Sequence, residues 1–228
     1  ISQWDNPPGP DYTHADIHML EFGWTSSQLY CGSDGGLFVS FDFGNNWNDL
    51  SNGLAITQNY RIAGFEPNVD LIINGTQDNG SNRWNGGTTM LHVLGADGMD
   101  CMIDHSNSAT FYNSIQFGDL RRSFNSGATY SSIKPLASSG SWITPIVMHV
   151  TNPLIIYGVY SDIYRSTNGG TSWTNLGQDG SGAMALGGTS HPDRVYASID
   201  NSNIIVTSAS GIAPFTNITT HLPAGNIT

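Results

Sequence analysis

Ser166-Thr167-Asn168-Gly169-Gly170-Thr171-Ser172-Trp173 decides how this 228-residue chain is read, because weaker copies of it return at a regular interval. Ser40 to Trp47 (Ser-Phe-Asp-Phe-Gly-Asn-Asn-Trp) and Ser123 to Tyr130 (Ser-Phe-Asn-Ser-Gly-Ala-Thr-Tyr) share its frame: Ser, then Asp or Asn, then Gly, then an aromatic. The three copies start 83 and then 43 residues apart, so one unmarked unit of about 42 residues lies between the first two. Thr207 to Phe215 is a decayed copy one further period on. A period near 40 built from short β-like segments predicts an all-β propeller.

The frame predicts a hairpin tip. Asp or Asn hydrogen-bonds its own backbone two residues on, Gly supplies a positive φ, and the aromatic anchors the turn against a neighbouring sheet. The marker residues Ser40, Asp42, Gly44, Trp47, Ser123, Asn125, Gly127, Tyr130, Ser166, Asn168, Gly170 and Trp173 are therefore read as structural.

These octets resemble the Asp-box, or BNR, repeat of β-propellers such as sialidases, xyloglucanase-like glycosidases and sortilin-like domains. In those families the box lies on a peripheral hairpin away from the ligand, so the resemblance implies a fold and not a function. His14-Ala15-Asp16-Ile17-His18, Gly75-Thr76-Gln77-Asp78-Asn79-Gly80 and Gly95-Ala96-Asp97-Gly98 are similar to stretches of the large secreted BNR or sortilin-like repeat proteins of bacteria. That resemblance implies secretion or a place on the outer surface of a bacterial outer membrane.

Composition agrees with many short strands. Charged residues are only 11% of the chain, while Gly, Ser, Asn and Thr abound. A net charge of −11 argues against nucleic acid and anionic membrane surfaces as partners. No run approaches the roughly 18 to 20 apolar residues of a membrane span. A chain opening Ile1-Ser2-Gln3-Trp4, without a signal peptide, reads as a processed or partial product. Cys31 and Cys101 fall in different repeats and are expected as free, buried thiols.

Residues 1–13, with Pro7, Pro8 and Pro10, read as an irregular lead-in. The repeats are placed at about 14–58, 59–98, 99–141, 142–182 and 183–222, with 223–228 starting a next blade. The second repeat replaces the marker with Arg83-Trp84-Asn85-Gly86-Gly87, a different hairpin. Five four-stranded blades either close a small ring or belong to a larger one of about seven, with remaining blades or another subunit at the open edge.

If the first strand of each unit is innermost, the turn between strands two and three shares a face with the segment entering strand one. That face would gather His14, Asp16, His18, Asp34, Gln77, Asp78, Asp97, Asp100 and Asp162 as ligand-binding candidates. His14, Asp16 and His18, two apart on a strand, could converge on a transition metal. Asp34, Asp78 and Asp97, each beside Gly or in a Gly-rich turn, read either as Asx turns or as Ca²⁺ ligands. Trp4, Trp24, Trp84 and Trp142 lie outside the marker and serve either blade packing or sugar stacking.

A glycosidase needs two carboxylates, which Asp16, Asp78, Asp97 and Asp100 could supply; the two glutamates, Glu21 and Glu66, sit at strand ends. Tyr60-Arg61-Ile62-Ala63 lacks the proline of the sialidase arginine motif, so that activity is rejected. Xyloglucanase-like enzymes work between two propellers, so one propeller assigns no catalytic pair. The expectation is a secreted or surface propeller that binds glycan or protein through its acidic His/Asp face. A glycoside hydrolase using those aspartates is one alternative; a structural accessory subunit of an outer-membrane assembly is the other.

Overall fold

Runs such as Leu37-Phe38-Val39, Ile204-Ile205-Val206 and Phe111-Tyr112 are short, β-branched or aromatic, and cut by Gly, Asn and Ser turns, which is the pattern of brief strands in hairpins. The computed structural model describes residues 2–3, 9–24, 27–135, 138–180, 182–199 and 203–221. Trp4, Pro7, Pro8 and residues 223–228 lie outside these.

Five antiparallel four-stranded sheets follow one another along the chain, each in plain meander order. Blade 1, after β1 (Ser2–Gln3) and β2 (Thr13–His14), comprises β3 (Ile17–Phe22), β4 (Leu29–Ser33), β5 (Gly36–Ser40) and β6 (Asn48–Asp49). Blade 2 comprises β7 (Asn59–Phe65), β8 (Asn68–Thr76), β9 (Ser81–Asn85) and β10 (Leu91–Leu94). Blade 3 is β11 (Cys101–Ile103), β12 (Phe111–Ile115), β13 (Asp119–Ser123) and β14 (Ser131–Ser132). Blade 4 is β15 (Ile146–Met148), β16 (Ile156–Val159), β17 (Asp162–Ser166) and β18 (Thr174–Asp179). Blade 5 is β19 (Met184–Leu186), β20 (Val195–Ile199), β21 (Asn203–Thr207) and β22 (Thr216–Asn217). This is an all-β, partial β-propeller. The lead-in is not wholly irregular, since Ser2–Gln3 pair in parallel with Thr13–His14.

The octets all close the hairpin between third and fourth strands, and three of them share one hydrogen-bond frame. Ser166 Oγ accepts from Gly170 N at 2.8 Å and donates to Asn168 Oδ1, which in turn accepts from Ser172 N at 2.8 Å. Ser123 with Gly127, Asn125 and Thr129, and Ser40 with Gly44, Asp42 and Asn46, repeat those bonds. Two successive left-handed residues turn the chain: Phe43 and Gly44, Ser126 and Gly127, Gly169 and Gly170, and in the decayed copy Ser210 and Gly211. The buried serine hydroxyl satisfies backbone N–H groups that this turn leaves without a ladder partner.

Blades pack face to face, so their second strands are covered on both sides: β12 and β16 are almost wholly buried. Leu71 and Ile73 of blade 2 join Cys101, Ile103 and Phe111 of blade 3. Met102, Tyr112 and Leu120 of blade 3 join Ile146 and Ile156 of blade 4, with Trp173 packed against them. Ile163 of blade 4 joins Ala197 and Ile205 of blade 5. Blade 1 keeps a cluster of its own: Cys31, Phe38 and Trp47, with Tyr12 and Leu29. Both cysteines are free and buried, and burial pushes the Cys101 thiol up to about 12. At the other face of blade 1, β3 is exposed along its whole length, including Met19 and Phe22, and Trp24 beyond it is fully exposed.

Candidate functional site

The turns β4–β5 and β8–β9 and the segments entering β3 and β11 meet on one face, because each hairpin is short enough to bring its turn beside the next inner strand. Asp16, Asp34 and Asp78 each present a carboxylate oxygen within 4.8 Å of the others. Asp16 and Asp78 both take positive φ, 53° and 60°, which turns their side chains out of the strand alternation and toward each other. The backbone holds the group from both blades: Asp34 N donates to Asp16 O at 3.3 Å, and Asn79 Nδ2 donates to Asp34 O at 3.2 Å.

Asp97 supports the group from beneath. It is buried; its Oδ1 accepts from Asp78 N at 2.7 Å, and its Oδ2 accepts from Gln116 Nε2. Loss of water around Asp78, followed by repulsion from the Asp97 and Asp34 carboxylates, pushes its carboxyl up to about 6. Three acceptor-rich groups so close are able to share a proton or hold a hard cation with water and backbone oxygens.

The other candidates are placed differently. His14 is buried on β2, and its ring nitrogens face backbone carbonyls, Nε2 to Asp78 O at 2.9 Å and Nδ1 to Ala15 O at 3.1 Å. His18 is exposed and its Nε2 lies 2.6 Å from Asp34 Oδ1. The expected two-residue alternation through His14, Asp16 and His18 does not hold. β2 ends at His14, Asp16 takes a left-handed conformation, and the register shifts between Ile17 and Met19. The converging set is Asp16, Asp34 and Asp78, and the histidines stand around it.

Gln77 donates its backbone N–H to Gln58 O and accepts from Asn79 N at 2.7 Å, and its side chain beside Asp78 partly offsets the upward push on that carboxyl. Asp100 is enclosed between inner strands: Oδ2 accepts from Ile146 N at 3.1 Å and Oδ1 from Cys101 N at 3.0 Å, so it ties blade 3 to blade 4. Burial pushes its carboxyl up to about 6 as well. Asp162 accepts from Asn175 Nδ2 at 2.8 Å within blade 4 and is not in the converging group. Of the tryptophans, Trp84 bonds its own hairpin at Gly87 O, and Trp142 stacks edge-on against Phe117 with its Nε1 3.4 Å from Tyr60 OH.

Residue-level reading of the sequence passed over Asn74, Asn82 and His92, which line a cleft of about 420 Å³ between blades 1 and 2. Asn82 is the second residue of β9, in the repeat that the missing marker sets apart, and that is the available signal.

No protein-family model matches this chain, and no curated protein matches it. Among solved structures it is similar to the GH74 enzyme of Niastella koreensis, with 18% identity and a TM-score of 0.57 over 90% of this chain and 37% of that one. It is similar to the GH74 xyloglucanase from Xanthomonas campestris, with 16% identity and a TM-score of 0.54 over 88% of this chain and 37% of that one. YCF48 bound to D1 peptide is similar at 12% identity and a TM-score of 0.50, over 89% of this chain and 67% of that one. All are β-propeller proteins, and at such identities the likeness is one of fold. The chain spans just over a third of the length of the GH74 structures, at 37% of each. Among the described residues no helix is long and apolar enough to cross a membrane.

Proposed function

We propose that this chain is a propeller module of the Asp-box kind, secreted or held at a bacterial cell surface, that recognises a glycan or a protein through the face bearing Asp16, Asp34 and Asp78. The observation that carries this reading is the convergence of three carboxylates from two blades, supported by Asp97 and Gln116. Burial first, and repulsion from Asp97 and Asp34 second, push the Asp78 carboxyl up, and groups perturbed in this way concentrate at functional sites. The face suits cationic side chains of a protein, or sugar hydroxyls alone or bridged by Ca²⁺. That YCF48 was solved with a peptide bound supports a protein ligand. A ring of about seven blades, completed by further blades or another subunit at the exposed β3, fits the same reading.

A second reading is a glycoside hydrolase. The GH74 likeness supports it, as does Asp78, whose carboxyl near 6 retains a proton to donate beside the Asp16 and Asp34 carboxyl groups. The separation within 4.8 Å falls short of the roughly 6.5–9.5 Å of inverting enzymes and nearer the retaining spacing.

One experiment separates the two. The chain is assayed for binding to, and release of reducing ends from, plant, algal and bacterial polysaccharides, beside the Asp16→Asn/Asp78→Asn double variant. Binding without turnover that is lost in the double variant supports recognition. Turnover lost in it supports hydrolysis. Binding unchanged in the double variant overturns both assignments to this face.

A further inference from the structure

The boundary between blades 1 and 2 is unlike the other three. Apolar clusters close the blade 2–3, 3–4 and 4–5 boundaries, whereas the buried cluster of blade 1 stays within blade 1 and the lead-in. In place of a shared core, a cleft of about 420 Å³ opens there, within the roughly 300–1,000 Å³ of small-molecule sites. Its polar wall is made by Asn74, Asn79, Asn82 and Thr57, with His14 and His92; Phe38 and Met90 add apolar surface.

This wall is ordered before any ligand arrives. Asn74, buried, donates from Nδ2 to Asn59 Oδ1 at 2.5 Å and accepts from Asn82 N at 3.1 Å. Asn82 donates from Nδ2 to Asn79 O at 3.3 Å. A primary amide offers two N–H donors and an oxygen with two lone pairs. Among the described residues, Asn82 Oδ1 and the Thr57 hydroxyl make no hydrogen bond, so the wall keeps both donors and acceptors to offer. Two turn glycines make room for the histidine rings: a Cβ on Gly35 would overlap the ring of His14, and one on Gly80 would overlap His92.

We propose that this cleft binds a neutral, hydroxyl-rich ligand, a sugar ring or a short glycan, at a site separate from the carboxylate face. An amide and a hydroxyl, on Asn82 and Thr57, that donate and accept match ligand hydroxyls, which do the same, while Phe38 and Met90 meet the C–H faces of a ring. The wall carries no Lys or Arg to select an anion, and its one carboxylate, Asp49, is exposed. The cleft does not depend on the function proposed for the carboxylate face, although His14 and Asn79 border both.

The test titrates xylose, glucose and cellobiose into the full chain, with myo-inositol as a polyol lacking the ring oxygen, and reads saturation-transfer NMR and calorimetry. Met90→Trp fills the cleft from a partly exposed position without removing a hydrogen bond; Asn82→Ala removes the amide; Asp34→Asn alters the carboxylate face. Saturation of at least one sugar, weakened about tenfold or more in Met90→Trp and Asn82→Ala and within about twofold of wild type in the control Arg121→Met on β13 of blade 3, supports the proposal. Three results overturn it: no saturation of any of the three sugars, equal binding in Met90→Trp, or binding lost in Asp34→Asn but kept in Met90→Trp. The last moves the sugar to the carboxylate face.

Discussion

Arg122 on β13 donates from Nη1 to the carbonyl oxygen of Gly169 at 2.5 Å, tying the third strand of blade 3 to the octet turn of blade 4. Arg83 on β9 does the same one blade earlier, reaching Ser126 O at 2.8 Å. The octet of one blade is thus stitched by the arginine of the blade before it. Blade 2 has no octet, and the matching position in blade 1 is Val39, immediately before the marker serine. Lock and key are present or absent together at these three boundaries.

Replacing Arg122 by Met should therefore destabilise by about 1.5–3 kcal/mol, because a charged donor to a turn carbonyl is lost. Arg121→Met, which removes only the partly exposed pair with Asp119, should cost under about 1 kcal/mol. Urea unfolding of the two variants checks the contrast; equal losses would show that the stitch contributes nothing.

Ser166→Ala should cost about 1–3 kcal/mol. The hydroxyl is buried, accepts from Gly170 N and Asn168 N, and donates to Asn168 Oδ1, so its loss leaves an interior N–H unpaired. Thr207→Ala in the decayed octet should cost less, since Thr207 Oγ1 accepts from Ala209 N and donates to Ile212 O, whereas Ser166 also accepts from Gly170 N, four residues on. Thermal melts of both variants at one pH measure this.

Removing the anchor should cost more than removing the cap. Trp173 packs on the blade 3–4 cluster and donates from Nε1 to Ile133 O at 2.7 Å. Trp173→Ala is expected to lose about 3 kcal/mol or more, read by denaturant titration. A negligible shift would show that the aromatic of the frame is ornamental.

Asp78 and Asp100 set a pH dependence of known sign. Both carboxyls stand near 6 in the folded chain, above the ordinary 3.8, so the folded state holds more protons than the unfolded one between those values. Their favourable contribution is complete below about pH 4 and is lost as pH rises through 6. Asp78→Asn should therefore leave stability unchanged near pH 4 and raise it at pH 7.5, by about 1 kcal/mol after solvent screening. Melting curves from pH 4 to 8 test it; a variant less stable at pH 7.5 would contradict the electrostatic account.

Much of this was legible in the sequence because propeller blades are local. Each hairpin pairs residues a few positions apart, so the Ser…Gly…Trp spacing that marks a turn also marks the strands on either side. Asp34, Asp78 and Asp97 were readable as one face for the same reason. The failure at His14, Asp16 and His18 came from assuming one unbroken strand, whereas Asp16 takes φ 53° and breaks the alternation. A second recurring turn also went unread. Thr110 N, Ile155 N and Arg194 N each donate to the carbonyl three residues back, on Asn107, Asn152 and His191. Two of these turns open on an Asn whose Oδ1 accepts from the N–H two residues on, Asn107 from Ala109 and Asn152 from Leu154, while the third opens on His191; Pro153 and Pro192 are the other trace. The cleft was harder still, since it is defined by an apolar contact that is missing, and absence has no motif.

That missing contact divides the molecule energetically. Blades 2 to 5 are joined by three successive apolar clusters, whereas blade 1 is held to blade 2 by polar bonds such as His14 to Asp78 O and Asn79 to Asp34 O. In a linear array each interface contributes its own coupling, so the weakest one sets where cooperativity breaks. Amide protons of β4 and β5 should exchange through an opening that leaves β12 and β16 protected, making blade 1 a separate unit of unfolding.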